Sequence, residues 1–333
     1  MMVEKKKQSR KGNDNAGMTN RTKKSLVEVV VRTDDRGEWV KPDTMEKFFI
    51  DEEAVFPNIE FEFKTEVPGP YLWAWKMTWS AKVSGLSEKD RGRELKTYMD
   101  GGSITQEGKS WNARSIGKVI GGILTVTVTV GTEKFIRTVE VLAKQPGKER
   151  IVALIRKNNE PLMEKAIAQE SRFKHVRDKD FQPIVSGDKG FGAGQLTKDP
   201  PTYEQIWSWR INIEESIDRL RKKRAIAEAY LKSEGGAYTP QMLDLETVTG
   251  WNGGKYHKWD DASHSWKRIG NIQCDTQTGN IGWDMDKEAN TGKSEKELRE
   301  RDKDSYNKMK KGQDAEHQWK YSGVCYADHL LKN

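Results

Sequence analysis

The hydrophobic rhythm of this chain changes once, at Gln145-Pro146-Gly147-Lys148, and that change limits the fold more than any other feature. Before it, apolar residues alternate with polar ones; after it, they recur every three or four residues. Period two lines one face of a strand, and the longer spacing lines one face of a helix. The sequence therefore predicts a β-rich half followed by a mainly helical half. At 333 residues, each half is long enough to bury a core of its own.

In the first half, Ser25 to Val31 is a strand candidate and Ile59-Glu60-Phe61-Glu62-Phe63 alternates strictly. Pro68-Gly69-Pro70 reads as a turn before a long strand, or a bulged pair, over Tyr71 to Val83. Leu124 to Val130, Gly131-Thr132 and Lys134 to Leu142 make a hairpin. Strands at this spacing, with no long helix between them, predict an immunoglobulin-like sandwich over residues 26–146. No catalytic constellation occurs there, and the region reads as a spacer or docking module.

In the second half, 149–333, helical spacing covers Ile151 to Lys157, Pro161 to Phe173 and Tyr203 to Lys232. The last begins with a capping box, Thr202 and Gln205, behind Pro200-Pro201. Its apolar stripe, from Ile206 through Trp209, Ile213, Ile217 and Leu220 to Leu231, reads as the spine of a core. Residues 284–318 are so charged that they read as an exposed insertion with partial helix. Val324 to Leu331 returns as a short helix docking on the core.

Charge argues against a nucleic-acid partner. Residues 1–30 hold eight Lys/Arg and three acids, so five of the seven net positive charges lie there. Residues 1–25 read as a disordered basic tail, and the remainder is nearly neutral. No apolar run approaches the length of a membrane span, and no secretory signal is apparent. Cys274 and Cys325 are too few for a disulfide framework and lack metal-ligand spacing. They flank the charged insertion, so they are expected to pair in an oxidising compartment and staple its base.

Candidate chemistry begins at Glu170. On the helix from Pro161, Met163, Ala166, Ile167 and Glu170 share one face, so the carboxyl projects from the apolar side. Apolar surroundings favour its neutral form, as a general acid requires. A purely structural glutamate would instead pair with Lys165, Arg172 or Lys174. A glycine-rich turn follows, with Gly187, Gly190, Gly192 and Gly194 permitting positive φ or close approach of a ligand, and Gln195 offering an amide. No Lys-Ser/Thr follows to make it a phosphate loop. Downstream, Thr249 to Gly254 reads as a turn presenting Trp251 and Asn252, followed by Tyr256, His257, Trp259, Asp260, Asp261 and Trp266. Polar tips among rings suit a saccharide, whereas Trp259 and Trp266 read better as a cross-strand pair in a hairpin. His257 and His264 beside Asp260 and Asp261 read as a charged hairpin tip, and no metal or other cofactor is expected.

Together these segments resemble the lysozyme-like superfamily, specifically goose-type lysozymes and soluble lytic transglycosylases. That family's pattern is a helix ending in Glu-Ser, then Gly-x-Gly-Leu-Met-Gln, then Ala-Tyr-Asn-x-Gly. Here the matches are Glu170-Ser171, Gly192-Ala193-Gly194-Gln195 and Trp251-Asn252-Gly253-Gly254. They span roughly residues 150–275 and the closing helix. The resemblance implies a lysozyme-like fold with a small β-hairpin. It also implies cleavage of the β-1,4 bond between N-acetylmuramic acid and N-acetylglucosamine in peptidoglycan, with Glu170 as acid and then base. Asp188 stands where the family has an acid that positions water, and Thr197 stands where a second acid is expected. Trp251 replaces the family's tyrosine. By the same resemblance, Ser171, Gly192, Gly194, Gln195, Thr197, Trp251, Asn252 and Tyr256 would contact the glycan. The expected product is hydrolytic; the 1,6-anhydro product of a transglycosylase is the alternative. A muramidase without a signal fits a bacterial antagonism effector of the type VI secretion kind, or a phage lysin or tail lysozyme. The effector would be made in the cytoplasm and act in the periplasm or wall of a target cell. Its partners would be the secretion apparatus and an immunity protein. A glycan-binding protein without activity is the reading from another class.

Overall fold

The fold is that of a computed structural model, which describes residues 37–84, 90–197, 199–234, 236–307 and 319–332. The expected basic tail and the strand candidate at 25–31 lie outside the described residues. A β-rich region comes first. Strands β1 (Glu38–Lys41), β2 (Lys47–Ile50), β3 (Glu60–Lys64), β4 (Tyr71–Ser84), β5 (Asp90–Gln106) and β6 (Ser110–Asn112) precede a single 3₁₀ turn at Ala113–Ile116. Strands β7 (Gly122–Val130) and β8 (Glu133–Ala143) complete the region. They form a three-stranded sheet, β1-β3-β6, and a five-stranded sheet, β2-β8-β7-β4-β5.

The alternating strands behave as period two demands. In β7 every second residue from Gly122 to Val130 is buried, and the threonines between them face outward. The β7–β8 hairpin closes with Val130 opposite Glu133, as expected. Phe61, Phe63 and Trp111 from the small sheet meet Trp73, Val126 and Val128 from the large one in a continuous buried cluster. Trp39 packs edge-on against Trp73 at 6.0 Å, and Phe63 lies 4.7 Å from Phe135. Strand β5 went unread in the sequence because Met-Asp-Gly-Gly-Ser at its centre carries no alternation; it forms by pairing along the whole of β4.

The helical region holds α1 (Lys148–Lys157), α2 (Pro161–Ser171), α3 (Tyr203–Trp207), α4 (Trp209–Ser233) and α5 (Pro240–Asn252). Then come strands β9 (His257–Asp260), β10 (Ser265–Arg268), β11 (Ile272–Cys274) and β12 (Ile281–Asp284), helix α6 (Glu295–Asn307), strand β13 (Trp319–Tyr321) and helix α7 (Gly323–Lys332). The capping box at Thr202 and Gln205 is present. The expected single helix 203–232 is broken at Ser208, whose extended backbone ends α3 and whose side chain caps α4. Helix α2 stops at Ser171 rather than Phe173, because Arg172 and Phe173 are left-handed, with φ of 53° and 62°.

Two expectations are corrected. Thr249 to Asn252 is no turn but the last part of α5, which Thr239 caps and Pro240 opens; the turn begins at Gly253. The charged stretch, expected as an exposed insertion with partial helix, does carry a helix, α6, in its described part, but Leu298 on that helix is buried. Trp283 of β12, Leu298 of α6 and Trp319 of β13 bury one another in a small core of their own. Fully buried Asp302 accepts from the Trp283 indole at 2.7 Å and pairs with Arg301. High average charge hid Leu298, whose partners Trp283 and Trp319 flank the stretch at its two ends. The Cys274–Cys325 disulfide is present, joining β11 to α7. Residues 308–318 lie outside the described ones. Among the described residues no helix is long and apolar enough to cross a membrane.

Candidate active site

Glu170 occupies the penultimate position of α2, half-buried. Two aromatic side chains from other helices reach it. Tyr326 of α7 donates its hydroxyl to Glu170 Oε1 at 2.7 Å, and Trp251, near the end of α5, lies near enough to favour the ionised carboxyl. Burial raises the acid's pKa above the ordinary carboxylate value; Tyr326 and Trp251 work against that rise, and the charge of Asp188 adds to it. None of Lys165, Arg172 or Lys174 is its partner among these influences. Deep burial first, and the Glu170 contact after it, raise the Tyr326 phenol well above its ordinary range, so it stays a donor.

Asp188 sits exposed in the turn after α2 and accepts from Ser186 Oγ. That turn folds as a knot of short bridges, Val176 with Pro183, Val185 with Phe191 and Phe191 with Leu196. Its glycines serve packing more than a ligand. Gly192 has φ of 68°, and a Cβ there would lie 2.7 Å from both Asn212 Nδ2 and the His175 ring. A Cβ on Gly194 would lie 1.8 Å from Ser216 Oγ. Asn212 of α4 accepts from Gly194 N–H and donates to Phe191 O. His175 Nδ1 accepts from Ala193 N–H at 3.2 Å. Complete burial pushes the His175 pKa down to about 4, against the weaker pull of the Trp207 and Ile206 carbonyls, so the ring is neutral.

The remaining candidates divide. Gln195 is half-buried, left-handed at φ 48°, and folds its amide onto Gly192 O at 2.8 Å. Thr197 and Asn252 are exposed, the first beyond the turn and the second at the end of α5. Ser171 is fully buried and donates to Ile167 O, so its hydroxyl is spent inside α2. Tyr256 is 2% exposed and bonded to Asp328 at 2.5 Å and Lys332 at 2.6 Å, which makes its ring part of the framework beneath α7. Trp259 faces Trp266 across the β9–β10 hairpin, edge-on at 5.4 Å. His257 is bonded to buried Glu246 at 3.0 Å. No group of three potential metal ligands occurs among the described residues.

Tyr326 is the residue that sequence reasoning missed. It lay within the expected docking helix, next to a cysteine expected to pair, but which face of that helix meets Glu170 is decided by tertiary packing. A cleft of about 600 Å³ opens elsewhere, lined by Thr78, Lys82, Arg177 and Gln182 among others, and none of Glu170, Asp188, Trp251 or Tyr326 lines it. Fold and site thus define a β-rich region joined to a helical region that carries a half-buried carboxyl bonded by a tyrosine. Searches among protein-family models and curated proteins find no match to the chain.

Proposed function

We propose that this chain is a muramidase that hydrolyses the β-1,4 bond between N-acetylmuramic acid and N-acetylglucosamine in peptidoglycan. The observation that carries the reading is the setting of Glu170: the Tyr326 hydroxyl holds the carboxyl at 2.7 Å, and burial raises its pKa above the ordinary carboxylate value. A protonated Glu170 would give its proton to the leaving glycosidic oxygen. Tyr326 and Trp251 then stabilise the carboxylate that remains, so the acid is held weak but not inert. Asp188, whose charge acts on Glu170, would stabilise the developing oxocarbenium ion and orient water. Glu170 takes the proton from that water, and the substrate's own acetamido group is available to assist.

A lysozyme-like helical region behind an immunoglobulin-like module is the fold this reading assigns. The strand order β8-β7-β4-β5 in one sheet and β1-β3-β6 in the other supports the second label. The chain acts in this reading as an antibacterial effector on a target cell's wall, with a secretion apparatus and an immunity protein as partners. Purified sacculi test the chemistry. Glu170→Gln should lower digestion by about a hundredfold or more, the usual contribution of a general acid. Mass spectrometry should find muropeptides with reducing muramic acid ends. Activity within a few-fold of wild type would remove Glu170 from the mechanism, and predominantly 1,6-anhydro ends would remove the water-orienting role of Asp188.

A further inference from the structure

The partner of Glu170 stands directly beside a disulfide. Cys325 precedes Tyr326 on α7 and is bonded to Cys274 at the end of β11, with the two Cα atoms 5.3 Å apart. The β11–β12 hairpin that carries Cys274 also grips the other half of the pair. Gln169, next to Glu170, donates to Thr278 O at 3.1 Å. At Gly279 in the same turn, a Cβ would lie 2.7 Å from the His329 ring of α7 and 3.0 Å from Gln169 Nε2, so the turn is wedged between α2 and α7. At Gly282 a Cβ would lie 2.6 Å from Cys325 Sγ. One hairpin therefore sets where the acid and its phenol stand relative to each other.

We propose that the Cys274–Cys325 bond is a redox gate on the Glu170 site, closing the contact between Tyr326 and the acid when oxidised and loosening it when reduced. The proposal rests on the reading of Glu170 as the proton donor. The later turns of α7 are also held by the Arg268–Asp328 ion pair at 2.8 Å and by Lys165 on Leu330 O at 3.0 Å. Ahead of Tyr326, Ser322 N–H donates to Asn280 O at 2.8 Å and β13 pairs with β12, so reduction loosens the link between β11 and Cys325 without detaching the helix.

The bond is open to exchange. Cys325 is buried, but half-buried Cys274 borders a cleft of about 240 Å³. Arg268 Nη2 lies 3.3 Å from Cys274 Sγ and pairs with Asp328, while Arg299 pairs with Asp275, so both carboxylates at the cleft are offset and an anionic thiolate can approach. A dithiol reductant would attack Cys274 Sγ through one thiolate, expelling Cys325 as a thiolate that takes up a proton. The reagent's second thiolate then displaces Cys274 from the mixed disulfide. The products are two protein thiols and an oxidised cyclic reagent, so two electrons and two protons are transferred. A chain made in a reducing compartment would thus be held idle until a disulfide-bearing oxidant at its place of action reverses this exchange, taking up the two electrons and two protons.

The test compares oxidised protein, protein reduced with dithiothreitol, and Cys274→Ser/Cys325→Ser. Two readouts are used: sacculus digestion, and the Glu170 carboxyl titration by NMR on side-chain-labelled glutamate, assigned by its loss in Glu170→Gln. Losing the Tyr326 donor should move the Glu170 titration upward and lower digestion about tenfold, the scale of one hydrogen bond to a charged group. Reoxidation should restore both. In oxidised Tyr326→Phe the titration should already be raised, and reduction should cost digestion less than about threefold further, because the gate has nothing left to move. An unchanged titration on reduction overturns the gate. So does a fall toward the ordinary carboxylate value, which would mean that the pocket had opened to water. An equal fold loss in Tyr326→Phe, or melting of the reduced protein below the assay temperature, also overturns it. If the titration moves as expected but oxidised protein digests no sacculi, the gate stands and the muramidase reading fails.

Discussion

At the scale of single residues, Glu170 ties stability to pH with a definite sign. Its pKa is raised in the folded protein, first by burial, so the native state holds a proton that the unfolded chain gives up. The stability this contributes is full below the unfolded value of 4.5 and is lost as pH rises through the raised folded value. Glu170→Gln imitates the neutral acid. The variant should therefore melt higher than wild type at pH 8, with the difference shrinking to nothing near pH 4. His175 acts on the acid side. With its pKa lowered from 6.5 to about 4, its contribution is present above 6.5 and lost as pH falls toward 4; the shift corresponds to about 3 kcal/mol. Wild type and Glu170→Gln both keep His175, so this loss appears in each curve and cancels in their difference. A Glu170→Gln variant that melts lower than wild type at pH 8 would show that the ionised carboxylate is net stabilising, and the site would not hold a protonated acid.

At the scale of elements, the turn between α2 and α3 depends on α4 for its shape. Gly192 is left-handed and already meets Asn212 and His175, so Gly192→Ala combines backbone strain with overpacking. About 3 kcal/mol of destabilisation is expected, measured as a lowered urea midpoint at unchanged slope. A loss under about 0.5 kcal/mol would mean that the turn relaxes freely and that its glycine is there for a ligand. The same turn shows how far the sequence reaches. Gly192's positive φ, the capping box at Thr202 and the β7–β8 hairpin were legible, since each is set by residues a few positions apart. Glu170 was legible because its helical face is fixed by Met163, Ala166 and Ile167. Tyr326 on Glu170, Leu298 against Trp283, and β5 along β4 were not, because each depends on segments distant in sequence. Tyr256 misled for the same reason: aromatic spacing does not distinguish an exposed ring from one buried on Asp328.

At the scale of the whole molecule, the switch at Pro146 separates kinds of secondary structure more than it separates cores. The described residues form one compact unit, and side chains cross the boundary in both directions. Trp207 of α3 enters the β core, edge-on to Trp79 at 5.4 Å, where a Cβ on Gly121 would lie 2.3 Å from its ring. In return, Ala54 joins the helical core, and the Trp209 indole donates to Glu52 O at 3.0 Å. The turn bearing Asp188 hangs on the end of β4: Ser84 N–H donates to Val185 O at 2.7 Å, and Ser84 Oγ accepts from Val185 N–H at 3.0 Å. Glu170 is thus positioned by helices, while Asp188 is positioned in part by the β-rich region. Two consequences are expected. Unfolding followed by far-UV dichroism and by tryptophan fluorescence should trace one coincident transition, and Trp207→Ala should lower both by about 3–5 kcal/mol. A fragment beginning at Gly147 should keep helical dichroism without a cooperative melt and should fail to digest sacculi, because nothing then holds Asp188 toward the acid. Two resolved transitions, or a fragment that digests at the wild-type rate, would make the β-rich region a detachable module after all.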